Sequence, residues 1–273
     1  MGKPRHNNTK PIVKQGLQVG DKHESRTARG TELVRSDREI NREDYNIGWF
    51  HPTQAQNEII RSMLEKPCTL VDSKSGCGKS TTVIYQALKM LKTGEYEKIV
   101  FIKTPTQLGV DDVGFLGTNE AKFDYPLAPM RGIFESFMSK EKLAMEEKRG
   151  KIEFLFPNWL GGATLSRSLI LVDEFQWFTP EMAKLVLERA DDTSKVVCMF
   201  DSKQRYASKQ RPDGAKDLLD RVTKVDESGV RYVTESLFGY VKMDSSENRR
   251  GALSKRVTEI YDDLDFDKSK IKN

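Results

Sequence analysis

The chain has 273 residues, of which 37% are hydrophobic and 32% charged, as is typical of a soluble globular protein with room for a proper core. No apolar run approaches the roughly 20 residues that cross a bilayer, and the polar start of the chain excludes a secretory signal, so we expect a cytoplasmic protein without membrane partners. The net charge is +4, and three cysteines at no metal-binding spacing favour reduced thiols.

Residues 1–45 are polar, lack a sustained hydrophobic period and hold ten Lys or Arg against seven Asp or Glu, a local excess of +3. We expect a flexible, basic N-terminal arm there, with a short helix over 31–42 as one option. The positive excess is compatible with nucleic acid, but a solvated tail is the more common explanation. The folded domain is expected over 46–265 and a charged tail over 266–273.

A helix is predicted over 53–65, where apolar residues recur at helical spacing after Pro52, a residue that favours the first turn. It follows an aromatic segment, 45–50, and opens with glutamines. A glutamine amide can donate to and accept from the edge of adenine. We therefore predict that Gln54 contacts the base; the alternative is a solvent-facing start of the helix.

The segment 68–82 organises the chain. A β-rich run over 69–71 leads into a loop of small residues and then into a run with helical spacing. Strand, glycine loop and helix are the context of a phosphate-binding loop, in which successive backbone N–H groups curl around an anion at a helix N-terminus. The usual pattern has glycine at position 73, whereas this chain has Ser73, which is strained there if φ must be positive.

Two side chains of this loop have specific expected roles. The ammonium group of Lys79 is predicted to reach the β- and γ-phosphates, and the hydroxyl of Ser80 to ligate Mg²⁺, which prefers oxygen ligands. The alternative is a glycine-containing turn with a surface lysine. Together with Gln54, the predicted nucleotide-binding residues are Ser73, Lys74, Ser75, Gly76, Cys77, Gly78, Lys79, Ser80 and Thr81.

The next apolar run, 97–102, follows Gly94, which ends the loop helix. Strand, helix and strand imply a right-handed βαβ unit in a parallel sheet. The section over 103–131 is dense in Gly and Pro, and we expect an ordered binding loop there. A helix over 132–148 and a short strand over 152–156 are predicted to follow.

Four consecutive apolar residues over 169–172 predict a strand that is buried on both faces and ends in two carboxylates. Ligands of open parallel sheets bind beyond the carboxyl ends of the strands. We predict that Asp173 holds Mg²⁺ together with Ser80 and that Glu174 polarises the attacking water. One strand ending in acids is a weak signal, but with the phosphate loop upstream it predicts a P-loop NTPase.

A third buried strand, over 195–200, leads to Gln204, which we predict to sense the γ-phosphate or to position the water. The alternative is an ordinary turn after a strand. The remaining predicted elements are helices over 179–190, 213–222 and 252–264 and a strand over 230–234.

These motifs resemble the PhoH-like ATPases, the phosphate-starvation-inducible family, whose core is similar to that of superfamily 1 helicases. The resemblance runs from about His51 to Asp263. This chain departs from the family pattern at Ser73 and by lacking a proline in the Gly-Phe-Leu-Gly element. Besides the phosphate loop, the segments that carry the resemblance are 52–55, 114–117, 164–165, 173–176 and 201–204.

The resemblance implies a RecA-like α/β fold, mainly a parallel sheet flanked by helices, with ATP and Mg²⁺ as cofactors. It implies ATP hydrolysis coupled to binding or remodelling of single-stranded nucleic acid, RNA in preference to DNA, in a helicase-like manner. It further implies a homo-oligomer such as a hexameric ring. The short length suggests a phage-encoded form that works in the host cytoplasm.

Arg249 or Arg250 is interpreted as an arginine finger, acting in its own chain or on a neighbouring subunit, and Arg250 is our choice. A surface arginine pair is the alternative. Two other functions stay open at this point: a small-molecule kinase, which needs an acceptor, and a nucleic-acid-binding module that does not hydrolyse ATP. The predicted catalytic residues are thus Lys79, Glu174, Gln204 and Arg250.

Overall fold

Strands and helices alternate along the chain, whose computed structural model describes residues 45–104, 120–162, 164–204 and 212–262. The strands in these ranges are β1 (Cys68–Ser73), β2 (Lys98–Lys103), β3 (Ile152–Leu155), β4 (Ser168–Asp173), β5 (Lys195–Phe200), β6 (Thr223–Val225), β7 (Arg231–Val233) and β8 (Phe238–Met243). Strands β6 and β7 form an antiparallel hairpin. The other six form one sheet in the order β3-β2-β4-β5-β1-β8, and every neighbouring pair in it is parallel.

The helices are α1 (Gln54–Glu65), α2 (Lys79–Lys92), α3 (Glu120–Glu135), α4 (Lys140–Lys148), α5 (Pro180–Leu187), α6 (Gly214–Val222) and α7 (Ala252–Asp262). None of these described helices is long and apolar enough to cross a bilayer. Residues 1–44 of the predicted arm, its helix over 31–42, the Gly-Phe-Leu-Gly element and the predicted tail over 266–273 lie outside the described ranges. The predicted domain boundaries therefore stay predictions.

Two hydrophobic cores cover the two faces of the sheet. Along β2, Ile99 and Phe101 belong to one core, and Val100 and Ile102 to the other. Helices α1 to α4 supply side chains to the first core, and α5 and α6 to the second. Because both faces are covered, the central strands have continuous apolar sequences, and the predicted parallel α/β sheet flanked by helices is confirmed.

Parallel pairing brings the carboxyl ends of the strands to one edge of the sheet. Strand β5 lies between β1 and β4, and β2 lies on the other side of β4. In this register Lys103, at the end of β2, is the partner of Asp173, at the end of β4. Asp72 of β1 is the partner of Phe200 of β5. The carboxyl ends of these four strands therefore lie at one edge of the sheet, where ligands of such sheets bind.

The edge strand β8 is absent from the sequence-based prediction, although it runs parallel to β1. Four of its six residues are not buried, and Gly239 and Lys242 interrupt its apolar pattern. An edge strand of this kind carries a weak periodic signal. The predicted strand over 230–234 corresponds to β7, which pairs in the hairpin and not in the sheet.

The prediction of one helix over 132–148 is wrong. Helix α3 begins at Glu120, inside the section expected to be a loop, and ends at Glu135. Helix α4 then starts after Ser139, whose hydroxyl accepts from the N–H of Lys142 at 3.2 Å and caps the helix. The Gly and Pro content of this section misled the prediction, because tertiary packing, such as the burial of Phe134, overrides local propensity.

Gly239 of β8 packs directly against α1. A Cβ at this position would lie 2.1 Å from Ser62 Oγ and 3.1 Å from Lys66 Cγ. We therefore expect Gly239→Ala to lower the free energy of unfolding by about 1–3 kcal/mol through overpacking. Urea denaturation followed by far-UV circular dichroism measures the change.

Gly132→Ala is the matched control for this substitution. Gly132 lies in α3, and a Cβ there meets nothing within 4 Å. The control should leave stability unchanged or raise it by about 0.5–1 kcal/mol, because glycine inside a helix costs backbone entropy. Equal effects of the two substitutions would contradict the close packing of α1 on β8.

Candidate active site

The loop between β1 and α2 has the backbone of an anion cradle. Gly76 and Gly78 have φ values of +83° and +78°, in the left-handed region that favours glycine. Gly78 is the N-cap of α2, and no described side chain caps the first turn of that helix. The N–H groups of this turn and the positive end of the helix dipole are therefore available to an anion.

Two amide side chains pack against these glycines. A Cβ on Gly76 would lie 2.8 Å from Asn248 Oδ1, and a Cβ on Gly78 would lie 2.7 Å from Gln56 Nε2. Gln56 is buried and donates through Nε2 to the carbonyl oxygen of Cys77 at 3.1 Å. Both positions thus require glycine because of close packing as well as because of φ.

Gln54 and Gln56 have different surroundings. Gln54 is exposed at the start of α1 and does not line the cavity at the loop, so its contact with adenine stays a prediction. Gln56 is fixed by a capping box with Thr53. The N–H of Thr53 donates to Gln56 Oε1 at 3.0 Å, and the N–H of Gln56 donates to Thr53 Oγ1 at 3.3 Å.

Ser73 does not have the strained backbone that the sequence pattern raised as a concern. It is the buried last residue of β1, paired with Met243 of β8, and it is not among the described residues with positive φ. A glycine is therefore not needed there. Its carbonyl oxygen accepts from Lys79 Nζ at 3.3 Å. Cys77 is fully buried in the first core, where burial raises the pKa of its thiol.

Asp173, the last residue of β4, has the surroundings of a cation ligand. Its buried carboxylate has Oδ1 at 3.4 Å from Ser80 Oγ and Oδ2 at 3.8 Å from Lys103 Nζ. Burial, and secondarily the Glu174 carboxylate, raises the pKa of Asp173, whereas Lys103 and Lys79 oppose the rise. Two oxygen groups at this distance fit the Mg²⁺ ligands predicted from the sequence.

Glu174 has an unusual backbone conformation. Its φ and ψ are 52° and 40°, in the left-handed region that few non-glycine residues occupy. Its Oε2 accepts from Nε2 of the buried Gln176 at 2.6 Å, and Gln176 Oε1 accepts from the N–H of Asp201 at 3.3 Å. Glu174 is thus held to the end of β5, and backbone strain of this kind concentrates at functional sites.

The end of β5 adds a second buried carboxylate, Asp201. It forms an ion pair with Lys74 of the loop at 3.6 Å. Burial raises the pKa of Asp201, while a hydrogen bond from the N–H of Lys203 and the nearby lysines oppose the rise. Gln204 donates its backbone N–H to the carbonyl oxygen of Asp201 at 3.1 Å and lines the cavity beside Glu174.

Arg249 and Arg250 lie against the phosphate loop of their own chain. The backbone N–H of Arg249 donates to the carbonyl oxygen of Gly76 at 2.9 Å, and Arg250 Nη1 donates to Ser75 Oγ at 2.9 Å. Both arginines are exposed and line the cavity. The role of either residue as an arginine finger, in its own chain or on a neighbouring subunit, stays a prediction.

A cavity of about 540 Å³ is lined by all the predicted catalytic and metal-binding residues. Its cationic groups outnumber its carboxylates, which favours a polyanion. The cations are Lys79, Lys103, Arg249 and Arg250, and the carboxylates are Asp173 and Glu174. Of the predicted nucleotide-binding residues, those that line the cavity are Ser75, Gly76, Gly78, Lys79, Ser80 and Thr81. Those that do not line it are Gln54, Ser73, Lys74 and Cys77.

The residues at this site to which the sequence analysis assigned no role include Gln56, Lys103, Gln176 and Asn248. Gln176 could have been identified as the last residue of the Asp-Glu-Phe-Gln motif. Lys103 could have been identified as the polar residue that ends a buried strand. Gln56 lay beside the preferred Gln54. Asn248 carried no local signal, because it lies in a polar segment 173 residues from Ser75, to which it bonds.

Comparison with known proteins gives one family. The family model described as PhoH-like protein matches residues 51–262. A PhoH-like protein of Synechocystis is 26% identical over 77% of this chain and 61% of its own length, and one of Bacillus subtilis is 26% identical over 77% and 63%. This chain thus spans about three-fifths of the length of these relatives. The ATPase domain of a Thermus phage large terminase has a TM-score of 0.44 and 13% identity, over 74% of this chain and 84% of that one, a likeness that carries no functional conclusion.

Ser73→Gly tests whether the departure from the loop pattern matters. Because Ser73 is extended and buried at the end of β1, we expect no gain in nucleotide turnover. The free energy of unfolding should fall by about 0.5–1 kcal/mol, since glycine in a strand costs backbone entropy. Steady-state kinetics and urea denaturation measure the two effects; a large rise in kcat would show that position 73 needs the freedom of glycine.

Asp173→Asn tests the cost of the buried carboxylate. The pKa of Asp173 is higher in the folded protein than in the unfolded chain. The loss of stability from burying the ionised carboxylate is therefore complete above the folded-state pKa and disappears below the unfolded-state pKa. In EDTA at pH 7 the variant should therefore have a higher Tm than the wild type, and the difference should shrink as the pH falls towards 4.

Asp217→Asn is the control for this measurement. Asp217 is on the surface of α6, where its hydrogen bond from Arg221 lowers its pKa. Its substitution should leave the Tm unchanged or lower it. A Tm of Asp173→Asn that equals or falls below the wild-type value at pH 7 would contradict the raised pKa of Asp173.

Proposed function

The chain belongs to the PhoH-like protein family, and on that premise we propose that it binds ATP and hydrolyses it to ADP and phosphate. The observation that carries the proposal is the convergence of Lys79, Asp173 and Glu174 on one cavity. These three groups supply what phosphoryl transfer needs from a protein, namely neutralisation of charge, a site for the metal ion and a base.

The loop supplies the binding groups for the phosphates. The N–H groups of residues 76–80 and the N-terminus of α2 attract the anion. Lys79 Nζ lies 3.3 Å from the carbonyl oxygen of Ser73, and it exchanges this contact for the β- and γ-phosphates when ATP binds. Lys103 and Arg250 add positive charge to the same cavity, which stabilises the charge that develops during transfer.

Ser80 and Asp173 are the residues that would hold Mg²⁺, since both offer oxygen atoms at the mouth of the loop. When bound, the ion neutralises phosphate charge. Lys103, at 3.8 Å from Asp173, favours the ionised form of that carboxylate, the form that can bind a cation.

Glu174 is the base in this proposal. Its carboxylate takes a proton from the attacking water as the water oxygen bonds to the γ-phosphorus. The bond from that phosphorus to the bridging oxygen breaks, and ADP leaves with the bridging oxygen. Gln176 fixes the carboxylate through its 2.6 Å hydrogen bond, and Gln204, which lines the same cavity, orients the water.

Hydrolysis is, in the same proposal, coupled to single-stranded nucleic acid, RNA in preference to DNA, by a homo-oligomer with helicase-like remodelling activity. The support for this part is the family resemblance and the basic excess of residues 1–45, ten Lys or Arg against seven Asp or Glu. A single RecA-like core offers one lobe, so unwinding requires subunits to cooperate.

Release of phosphate from ATP and Mg²⁺, with and without single-stranded RNA or DNA, tests the proposal. Lys79→Ala should lower kcat/KM roughly 10²-fold or more, because it removes a cation aimed at the developing charge. Lys140→Ala is the matched control, since that side chain is 79% exposed at the start of α4, and it should behave like the wild type. Equal hydrolysis by the two variants would refute the role of the loop.

Glu174→Gln separates the chemical step from binding. It should retain ATP binding and lower kcat roughly 10²–10⁴-fold, because an amide cannot accept the proton. Full hydrolysis by this variant would refute the base assignment. Turnover that requires an acceptor other than water would favour a small-molecule kinase, and hydrolysis indifferent to both nucleic acids would refute the proposed coupling.

A further inference from the structure

Three successive carbonyl oxygens of the phosphate loop, those of residues 75–77, accept hydrogen bonds from groups outside the loop. In a trans peptide the C=O of one residue and the N–H of the next point in opposite directions, and the plane between them is rigid. Because each carbonyl points to a donor outside the loop, the N–H groups of residues 76–78 point away from those donors. The three donors are, in order, Asn248 Nδ2 at 3.1 Å, the N–H of Arg249 at 2.9 Å and Gln56 Nε2 at 3.1 Å.

Asn248 uses its whole amide in this arrangement. Its Nδ2 donates to the carbonyl oxygen of Ser75 and to Ser254 Oγ, each at 3.1 Å, and its Oδ1 accepts from the N–H of Arg250 at 2.9 Å. A flipped amide would place an oxygen against the carbonyl oxygen of Ser75, so the network defines the orientation. The buried side chain thereby joins the loop, the arginine pair and the first turn of α7.

Asn248 packs so closely against Gly76 that no side chain larger than glycine's fits between them. Gly76 has a φ of +83°, and a Cβ on it would lie 2.8 Å from Asn248 Oδ1. Arg250 meets the same part of the loop through its guanidinium, whose Nη1 donates to Ser75 Oγ at 2.9 Å. Asn248 therefore fixes the backbone at both ends of the contact between Arg250 and Ser75.

We propose that Asn248 is a positioning residue that aligns the phosphate loop and Arg250 with each other for the triphosphate. The inference rests on the proposed function for its kinetic consequences. Loss of the amide removes both the hydrogen bond to the carbonyl oxygen of Ser75 and the hydrogen bond from the backbone N–H of Arg250. The loop then spends less time with its N–H groups facing the anion, which weakens ATP binding, and the guanidinium of Arg250 is no longer held beside the loop, which lowers turnover.

Two variants separate the parts of this role. Asn248→Ala removes every contact of the amide. Asn248→Asp has the same shape and keeps an acceptor for the N–H of Arg250, but it loses the donor to the carbonyl oxygen of Ser75. Asn57→Ala is the control, because Asn57 is an exposed asparagine on α1 outside the cavity. Circular dichroism and Tm confirm that each protein is folded.

Hydrogen exchange in the nucleotide-free protein is the first measurement. The amides of residues 76–80 should exchange several-fold faster in Asn248→Ala and in Asn248→Asp than in the wild type, and the control should be unchanged. Unchanged exchange in both folded variants overturns the inference. The exchange measurement needs no ATP, so it tests the inference even if the wild type neither binds nor hydrolyses ATP. That failure of the wild type would refute the proposed function alone.

Kinetics of ATP hydrolysis is the second measurement. Both variants should raise KM for ATP roughly tenfold, the effect of one lost hydrogen bond to the loop. Asn248→Ala should also lower kcat, and combining it with Arg250→Ala should cost clearly less than the product of the two single effects, because the residues act as one unit. Fully multiplicative effects would overturn the link to Arg250, and wild-type KM and kcat in Asn248→Ala would overturn the positioning role.

Discussion

Backbone N–H groups bind a phosphate more tightly when the peptide planes that carry them are already fixed before the anion arrives. In this chain the fixing groups come from outside the loop, from Gln56 ahead of β1 and from the segment after β8. The edge strand β8 is therefore part of the site: its parallel pairing with β1 brings residues 244–250 onto the loop. Helix α1 contributes in the same way, since the capping box that starts it also fixes Gln56.

The same edge of the sheet concentrates groups that lower stability. Asp173 and Asp201 are buried carboxylates whose pKa values are raised by burial, and Glu174 has a left-handed backbone. Lys103 and Lys74 offset part of the cost by pairing with the two aspartates. Apolar residues at these positions would make the folded state more stable, but they would offer no oxygen ligand and no base. The strain and buried charge are therefore consistent with a site kept for its chemistry, with stability supplied by the two apolar cores.

The central strands and the loop were predictable because each has a local signature. A strand buried on both faces is a continuous apolar run, and the polar residues that end β4 and β5 mark the ligand edge. The groups that fix the loop were not predictable, because their signals are not local. Gln56 differs from Gln54 only through the capping geometry, and Asn248 reaches the loop only after the whole sheet has formed. Strand β8 and the start of α3 were missed because packing, rather than propensity, decides them.

The side chains assigned to the proposed reaction all line one cavity of this chain. Arg250 contacts the phosphate loop through Ser75 Oγ. Helix α7 begins two residues later, and its apolar residues Leu253, Val257 and Ile260 are exposed. Asn248 bonds the carbonyl oxygen of Ser75 in the loop and also Ser254 of α7, so this helix is tied to the phosphate loop by one side chain.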